Sequence, residues 1–381
     1  MFDYIIIGAG FAGSVIAERI ASVLNKKVLI IEKRKHIGGN CWDYIDKNGI
    51  IVHRYGPHLF HTNHKDIFEY LSTFTLWHIY YHKVLAFIDG KKIPIPFNFN
   101  TLNRLFPREI AEKLKKKLLE KYPYGTKVSM IELKKVKDGD LQFLANYIYE
   151  KIFKNYTKKQ WGIKPEILNT EVLERVPVII GKDNRYFQDR YQAVPKYGYT
   201  KIFEKMLRHP NITIWMNTDF KSVLNIDTTN RKIYFQKQQF KGKVIFTGMI
   251  DELFNYKFGA LPYRTLRFKF KTIENEFYQE VATVNYPNEY KFTRITEFKH
   301  IHPVKTSVTR IVFEYPGQYK VGDIPYYPLF TEKAKERYYK YLESTEKIDN
   351  LILIGRLAEY RYYDMDDVVK RALDVFREKI Q

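Results

Sequence analysis

Two apolar runs open the chain. Asp3-Tyr4-Ile5-Ile6-Ile7 is β-branched and stops abruptly at Gly8, and Val28-Leu29-Ile30-Ile31 closes on Glu32. Short apolar runs bounded by glycine or charge predict buried strands, and the stretch between them predicts a helix from about Ser14 to Leu24. Together they form one βαβ unit. From Thr101 to about Asn169 the pattern becomes that of amphipathic helices. In Arg108 to Lys121, for instance, Ile110, Leu114 and Leu118 recur at helical spacing among lysines. Between Asn211 and Phe313 it shortens to strands such as Thr213 to Met216, Lys232 to Gln236 and Arg264 to Phe270. Several alternate in period two, which predicts a mainly antiparallel sheet. Leu351-Ile352-Leu353-Ile354, stopped by Gly355, is a further buried strand, and a helix follows from about Met365 to Lys379. The end of the chain thus returns to the first unit. No internal repeat, low-complexity tract or flexible linker interrupts this order.

At roughly 150 residues per domain, 381 residues make two or three domains with a sizeable core. Hydrophobic residues at 45% and charged residues at 28% exclude a disordered chain and a coiled-coil rod. A formal net charge of +21 points to negatively charged partners: nucleotides, nucleic acid or membrane surfaces. The lysines of Lys113 to Lys121 lie on the polar face of an amphipathic helix, a solvated face rather than a nucleic-acid stripe, so no nucleic-acid partner is expected. Cys41, the only cysteine, cannot form an intrachain disulfide, which fits a reducing compartment. The longest apolar stretch, Tyr4 to Ala17, falls short of the roughly 20 residues of a membrane span and contains three glycines. Asp3 stands where a secretory signal would be basic. A cytoplasmic enzyme with no integral membrane segment is expected.

Gly8, Gly10 and Gly13 form G-x-G-x-x-G directly after a strand and before a helix. There glycines permit a tight turn and close approach of a pyrophosphate, which helix N-terminal amides then face. Glu32 ends the next strand, where a carboxylate accepts from a ribose 2′-hydroxyl. NAD and FAD both suit this unit. The pair Gly38-Gly39, which would let a second backbone segment approach a longer dinucleotide, and the helix after Gly355 favour FAD. His53, His58, His61 and His64 cluster without a cysteine or carboxylate set of metal-ligand spacing, so no metal is assigned. A neutral His58 in the rigid Gly56-Pro57-His58 loop could bond a flavin edge or simply be a satisfied buried histidine. Tyrosines stand beside arginines at Arg185-Tyr186, Tyr263-Arg264 and Tyr360-Arg361-Tyr362-Tyr363-Asp364, with Arg356 close by, a combination that suits a diphosphate ligand. No nucleophile elbow and no P-loop lysine occur.

The whole chain resembles bacterial UDP-galactopyranose mutase. The likeness is carried by Tyr4-Ile5-Ile6-Ile7-Gly8-Ala9-Gly10, His36-Ile37-Gly38-Gly39-Asn40, Tyr55-Gly56-Pro57-His58-Leu59-Phe60-His61-Thr62, Ile95-Pro96-Phe97-Asn98 and Tyr156-Thr157-Lys158-Lys159-Gln160-Trp161-Gly162. It continues through Asp183-Asn184-Arg185-Tyr186-Phe187, Phe292-Thr293-Arg294-Ile295-Thr296-Glu297, Asp323-Ile324-Pro325-Tyr326-Tyr327-Pro328, Gly355-Arg356-Leu357 and Tyr360-Arg361-Tyr362-Tyr363-Asp364-Met365-Asp366.

The resemblance implies an α/β fold of three interwoven parts. A Rossmann-like FAD-binding domain would take 1–80, 211–250 and 345–381. A helical bundle with a mobile lid would take 99–180, and a twisted antiparallel sheet 81–98, 181–210 and 251–344. It implies an isomerase with reduced FAD that interconverts UDP-galactopyranose and UDP-galactofuranose for cell-surface polysaccharide precursors. Flavin N5 would attack the anomeric carbon, displace UDP and hold the sugar while its ring reopens and recloses. The implied partner is a UDP-sugar and the expected assembly a homodimer. By matched motif, Asn98, Tyr156, Trp161, Tyr186, Asn285, Tyr326, Tyr362 and Asp364 would meet the substrate. Arg175 in the lid and Arg294 facing it would grip the diphosphate and, with His58, serve catalysis. The implied cofactor residues are Gly8, Gly10, Phe11, Ala12, Gly13, Glu32, Lys33, Gly39, Asn40, His58, Leu59, Arg356, Asp364 and Met365. Two departures stand out. Ile179 follows Pro177-Val178 where many relatives carry a basic residue, which predicts a less charged lid, and the segment from Asn285 to Arg294 is about one residue short. UDP-N-acetylgalactosamine as a further substrate, an amine-oxidase-like flavin oxidoreductase and a basic polyanion-binding protein are the alternatives.

Overall fold

The computed structural model describes residues 1–162 and 177–381. The two opening runs become the strands Tyr4–Ile7 and Val28–Ile31, neighbours in a five-stranded, all-parallel sheet. Its order is Ile212–Trp215, Val28–Ile31, Tyr4–Ile7, Lys243–Phe246, Leu351–Leu353. The strand period of two sends Ile6, Ile30 and Ile245 to one face and Ile5, Leu29 and Phe246 to the other, so both faces need cover. Helices Phe11–Leu24, Tyr199–Met206 and Met365–Val375 cover the first. Helices Ile250–Leu253 and Glu332–Glu346 and the hairpin Leu224–Asp227 with Lys232–Phe235 cover the second.

The second sheet has seven strands, in the order Tyr327–Pro328, Tyr263–Ile273, Thr309–Gln318, Arg294–Glu297, Thr283–Asn285, Val84–Ile88, Lys91–Ile95. It is antiparallel except where Thr283–Asn285 runs parallel to Val84–Ile88. The helices Phe99–Leu105, Arg108–Lys121, Met130–Lys134 and Gly139–Ile148 close around their own apolar core of Leu102, Leu114, Leu118, Leu133 and Leu144. A wider-wound stretch, Tyr149–Lys154, joins the last of these to helix Asn155–Trp161.

Several expectations change. The first helix starts at Phe11 rather than Ser14 because Gly10, in extended conformation, is its cap, which puts Gly13 inside the first turn. The strand read at Thr213 to Met216 belongs to the parallel sheet, pairing with Val28–Ile31, and not to an antiparallel one. Residues 181–210 meet the larger sheet only through an isolated bridge from Arg185 to Lys83, beside strand Val84–Ile88. Tyr191–Pro195 finds both partners in the N-terminal region, at Phe60–Thr62 and Trp77–Ile79, and Tyr199–Met206 buries Tyr199, Ile202 and Phe203 on the parallel-sheet core. Helix Glu332–Glu346, with Ala334 and Tyr341 buried on the same sheet's other face, likewise packs on the Rossmann-like unit. Ile179 is 3% exposed and pairs with Lys127, so this position is core, not lid charge. Arg175, the proposed lid arginine, lies outside the described residues.

Candidate active site

The chain leaves Tyr4–Ile7 toward Val28–Ile31 on one side, while Lys243–Phe246 lies on the other. Such a reversal leaves a crevice at the carboxyl ends of the strands. A cavity of about 320 Å³ opens there, walled by Gly8, Glu32, Thr247 and Gly355 at the strand ends and by Arg294, Glu314, Tyr326 and Tyr327 from the larger sheet.

At the strand-end side, helix Phe11–Leu24 has no side-chain cap and no acidic residue in its first turn. Its leading amides are left for an anion. A Cβ at Gly10 would meet only Gly39 Cα, at 3.9 Å, whereas one at Gly13 would sit 2.0 Å from the Gly8 carbonyl oxygen. Gly10 therefore keeps the cavity open and Gly13 permits the turn. Gly39 packs on Gly10 closely enough that its own Cβ would stand 3.1 Å from Gly10 Cα, so the second glycine segment does approach the first. Glu32 accepts from the backbone N–H of Ala9 and of Arg34, each at 2.9 Å. It fastens the glycine turn to the second strand while also lining the cavity.

Phe11, Ala12, Lys33, Asn40, Asp364 and Met365 line the cavity as well. Leu59 packs instead in the apolar cluster around Val52 and Phe298, and Gly13 is hidden in its turn. Arg356 lines the cavity and donates from Nε and Nη2 to the Tyr363 carbonyl and from Nη1 to that of Tyr326, and its guanidinium lies 4.9 Å from the Tyr362 ring centre. Asp364 forms a reciprocal capping box with Asp367 at the head of helix Met365–Val375.

The far side is built on Arg294. Its Nη2 donates to the Tyr156 hydroxyl at 2.6 Å, and its Nε stands 3.5 Å from Glu314 Oε1. Burial opposes the charge on Arg294, but Glu314 and the phenols of Tyr156, Tyr327 and Tyr186 outweigh it and the guanidinium stays charged. Burial raises the phenols of Tyr156, Tyr326 and Tyr327, which therefore remain protonated donors. The Tyr327 and Tyr362 rings stack at 6.0 Å, with Trp161 at 5.7 and 6.1 Å from them. Asn285 faces Arg294 in the ladder despite the short connection between them, and its buried Oδ1 has no hydrogen-bond partner among the described residues. His58 lines the cavity. Its Nδ1 donates to the Gly56 carbonyl at 2.9 Å, and burial pushes the ring down to about 4, so it is neutral with Nε2 as an acceptor.

Of the residues expected to meet the substrate, Arg294, Tyr326 and Asp364 line the cavity, while Tyr156, Trp161, Tyr186, Asn285 and Tyr362 lie outside its lining. Asn98, like Tyr263, Arg264 and Tyr360, is turned to other partners. Asn98 spends its side chain on the cap of helix Phe99–Leu105 and on Pro96, Asp183 and Asn184. Tyr263 is buried, its hydroxyl donating to Asp251, and Arg264 holds the carbonyls of Lys159 and Gln160. The Tyr360 hydroxyl donates to Pro262 and Leu329.

Arg34, Glu314 and Tyr327 line the cavity without having been singled out from the sequence. Arg34 lies over the Tyr55 ring at 4.6 Å, and its buried Nη1 has no partner among the described residues. A charged residue inside an apolar strand, such as Glu314 in Thr309–Gln318, was the available signal. Among the described residues no group of three His, Cys, Asp or Glu is arranged to hold a metal ion, and no helix is long and apolar enough to cross a membrane.

Five buried imidazoles lie below the ordinary histidine range: burial lowers His36 and His53, takes His58 and His302 down to about 4, and takes His82 to about 3. The unfolded chain binds protons below its own value of about 6.5 that the native rings refuse. Their contribution is complete above about 6.5 and is lost as pH falls toward about 4. His61 and His300 are raised, by Asp189 and by Glu297 against the opposing effect of burial, and act in the reverse sense, but they are fewer. The thermal midpoint should therefore fall steadily as pH drops through this window, and scanning calorimetry showing a flat or rising midpoint would contradict these neutral assignments.

Comparison with known proteins places this geometry in context. Residues 151–362 match the family model described as UDP-galactopyranose mutase, and residues 6–74 one described as an NAD(P)-binding Rossmann-like domain. The chain is 35% identical over 377 residues to the UDP-galactopyranose mutase of Mycoplasma genitalium, covering 97% of this chain and 92% of that one. It is 34% identical over 377 residues to the dTDP-fucopyranose mutase of Escherichia coli, covering 98% and 97%. In fold it is similar to a crystal structure of reduced UDP-galactopyranose mutase, with a TM-score of 0.73 at 15% identity over 98% of this chain and 93% of that one.

Proposed function

The chain belongs to the UDP-galactopyranose mutase family, and from that premise we propose that it interconverts UDP-galactopyranose and UDP-galactofuranose on FAD held in the cavity. It is an isomerase of this family, and FAD active in its reduced form is the cofactor that membership implies. The observation that carries the reading is one cavity with an uncapped helix and paired glycines at one end and Arg294, Glu314 and the protonated phenols of Tyr326 and Tyr327 at the other.

The residues present fit FAD. The open space over Gly10, the uncapped amides of Phe11–Leu24 and the unpartnered Nη1 of Arg34 suit a pyrophosphate and ribose. Reduced FAD, when bound, supplies an electron-rich N5 as nucleophile toward the anomeric carbon. The chain's own residues do the rest. Arg294 presents positive charge to the diphosphate, Tyr156, Tyr186, Tyr326 and Tyr362 offer donors or stacking faces, and Glu314 keeps Arg294 oriented. Trp161 and Tyr156 close the base end, and the neutral Nε2 of His58 can accept a proton or a hydrogen bond without bringing charge. Asn285 offers its unpaired Oδ1 beside Arg294. Arg175 joins the diphosphate grip as part of this proposal. A cytoplasmic homodimer supplying furanose precursors for surface polysaccharide completes the reading.

Two experiments address it. Dithionite-reduced protein incubated separately with UDP-galactofuranose and dTDP-fucofuranose, with products separated chromatographically, should convert the UDP-sugar to its pyranose form without net oxidation. Preference for the dTDP-sugar would reassign the substrate, and oxygen consumption with sugar oxidation would favour an oxidoreductase. Separately, Gly10→Val should fold yet purify poor in flavin, whereas Gly13→Ala should lower the melting temperature through its contact with the Gly8 carbonyl. Full flavin occupancy in Gly10→Val would displace the cofactor from this loop.

A further inference from the structure

Behind the His58 loop lie two imidazoles to which nothing above gives a role. His53 is 1% exposed, boxed edge-on by Tyr199 and tilted against Phe298, each ring centre 5.6 Å away. Its Nδ1 receives the backbone N–H of His58 at 3.0 Å, and its Nε2 lies 2.9 Å from Nε2 of His302, itself buried. These two contacts settle where the protons are. A backbone N–H can only donate, so Nδ1 of His53 carries a lone pair and its ring proton sits on Nε2. That proton points at His302, whose Nε2 must accept and whose own proton is then on Nδ1. Both rings are held neutral by burial, which agrees with the assignment.

We propose that His53 and His302 are a tautomer-locked pair that positions the Gly56-Pro57-His58 loop against the flavin. His302 acts at second hand. With no acceptor for Nε2–H, His53 either buries an unpaired donor or moves its proton to Nδ1, and in the second case the His58 amide loses its acceptor. Gly56, at φ +94°, and Pro57 leave this loop little means of compensating elsewhere, and Gly56, Pro57 and His58 all line the cavity. The inference rests on the reading of the cavity as the FAD site.

Nitrogen-15 spectra of the histidine-labelled holoprotein test the pair directly. His53 should be protonated at Nε2 and His302 at Nδ1, and the opposite tautomer at either ring would overturn the proposal. Two variants test its reach. His302→Leu removes the acceptor, and His302→Gln keeps an oxygen near the position of Nε2. The Leu variant should bind FAD roughly 5- to 150-fold more weakly, the range for one buried polar group left unpaired, with displaced flavin absorption maxima. The Gln variant should restore both. Unchanged flavin affinity and spectrum in the Leu variant, or equal losses in the two, would overturn the positioning role. Should the Leu variant not fold, loss of flavin from a folded Gln variant would do the same. Wild-type protein that binds no flavin would overturn the cavity reading instead, and the tautomer spectra would still stand or fall by themselves.

Discussion

Arg294→Ala is expected to lower kcat/KM by roughly 30- to 4,000-fold while leaving FAD bound, because truncating one partner of a desolvated charge pair costs about 2 to 5 kcal/mol. Two losses combine. The diphosphate loses a forked cation, and Glu314, whose side chain is 4% exposed, is left with an uncompensated carboxylate facing the cavity. The Tyr156 hydroxyl loses its donor at the same time. Arg294→Lys should recover only part of the activity, since one ammonium cannot replace a fork that reaches Tyr156 and Glu314 from different nitrogens. Flavin content should not change, because the glycine turn and the end of Val28–Ile31 stand at the other end of the cavity. Steady-state kinetics beside flavin absorbance separate these effects, and near wild-type kcat/KM in the alanine variant would place the diphosphate elsewhere.

Turnover should be confined to the reduced enzyme although substrate and product share one oxidation state. The described residues around the cavity explain why. Burial pushes the thiol of Cys41 far above its ordinary range and likewise raises Tyr156, Tyr326 and Tyr327, so none of these is an anionic nucleophile near neutral pH. His58 keeps a lone pair on Nε2 with its proton on Nδ1, and the carboxylates of Glu32 and Glu314 are engaged by the Ala9 and Arg34 amides and by Arg294. On the proposed reading the electron pair comes from the cofactor. Protein kept oxidised should show no exchange of ring size, and dithionite should switch activity on without being consumed in proportion to product. Equal rates in the two states would remove the flavin from the chemistry.

Local sequence made the first βαβ unit legible because the β-branched run, the glycine turn and the carboxylate all fall within about one crossover, the scale over which such motifs are defined. Asn98 shows the limit of reading by motif. It precedes Phe99-Asn100-Thr101, and an Asn followed three residues on by a hydroxyl is as good a helix cap as it is a ligand; here it is the cap. The partners of Ile212–Trp215 and Tyr191–Pro195 could not be read from their own residues, because strand pairing is decided by whichever edge is left open far along the chain. Glu314 and Arg34 escaped for the same reason. Their meaning comes from Arg294 and Tyr55, groups that only the fold brings beside them. The aromatic cluster of Trp161, Tyr327 and Tyr362 joins the end of a helical insertion, a sheet edge and the C-terminal region, three places that no periodicity links.

The central claim is that the sugar is carried by the flavin in this cavity and by no side chain. Reduced holoenzyme turning over UDP-galactose should be quenched with cyanoborohydride, and the denatured protein and released cofactor analysed by mass. The expected result is a flavin heavier by one hexose, with the polypeptide mass unchanged. Hexose on the polypeptide, at Tyr327 or Cys41 for example, with unmodified flavin would contradict the account.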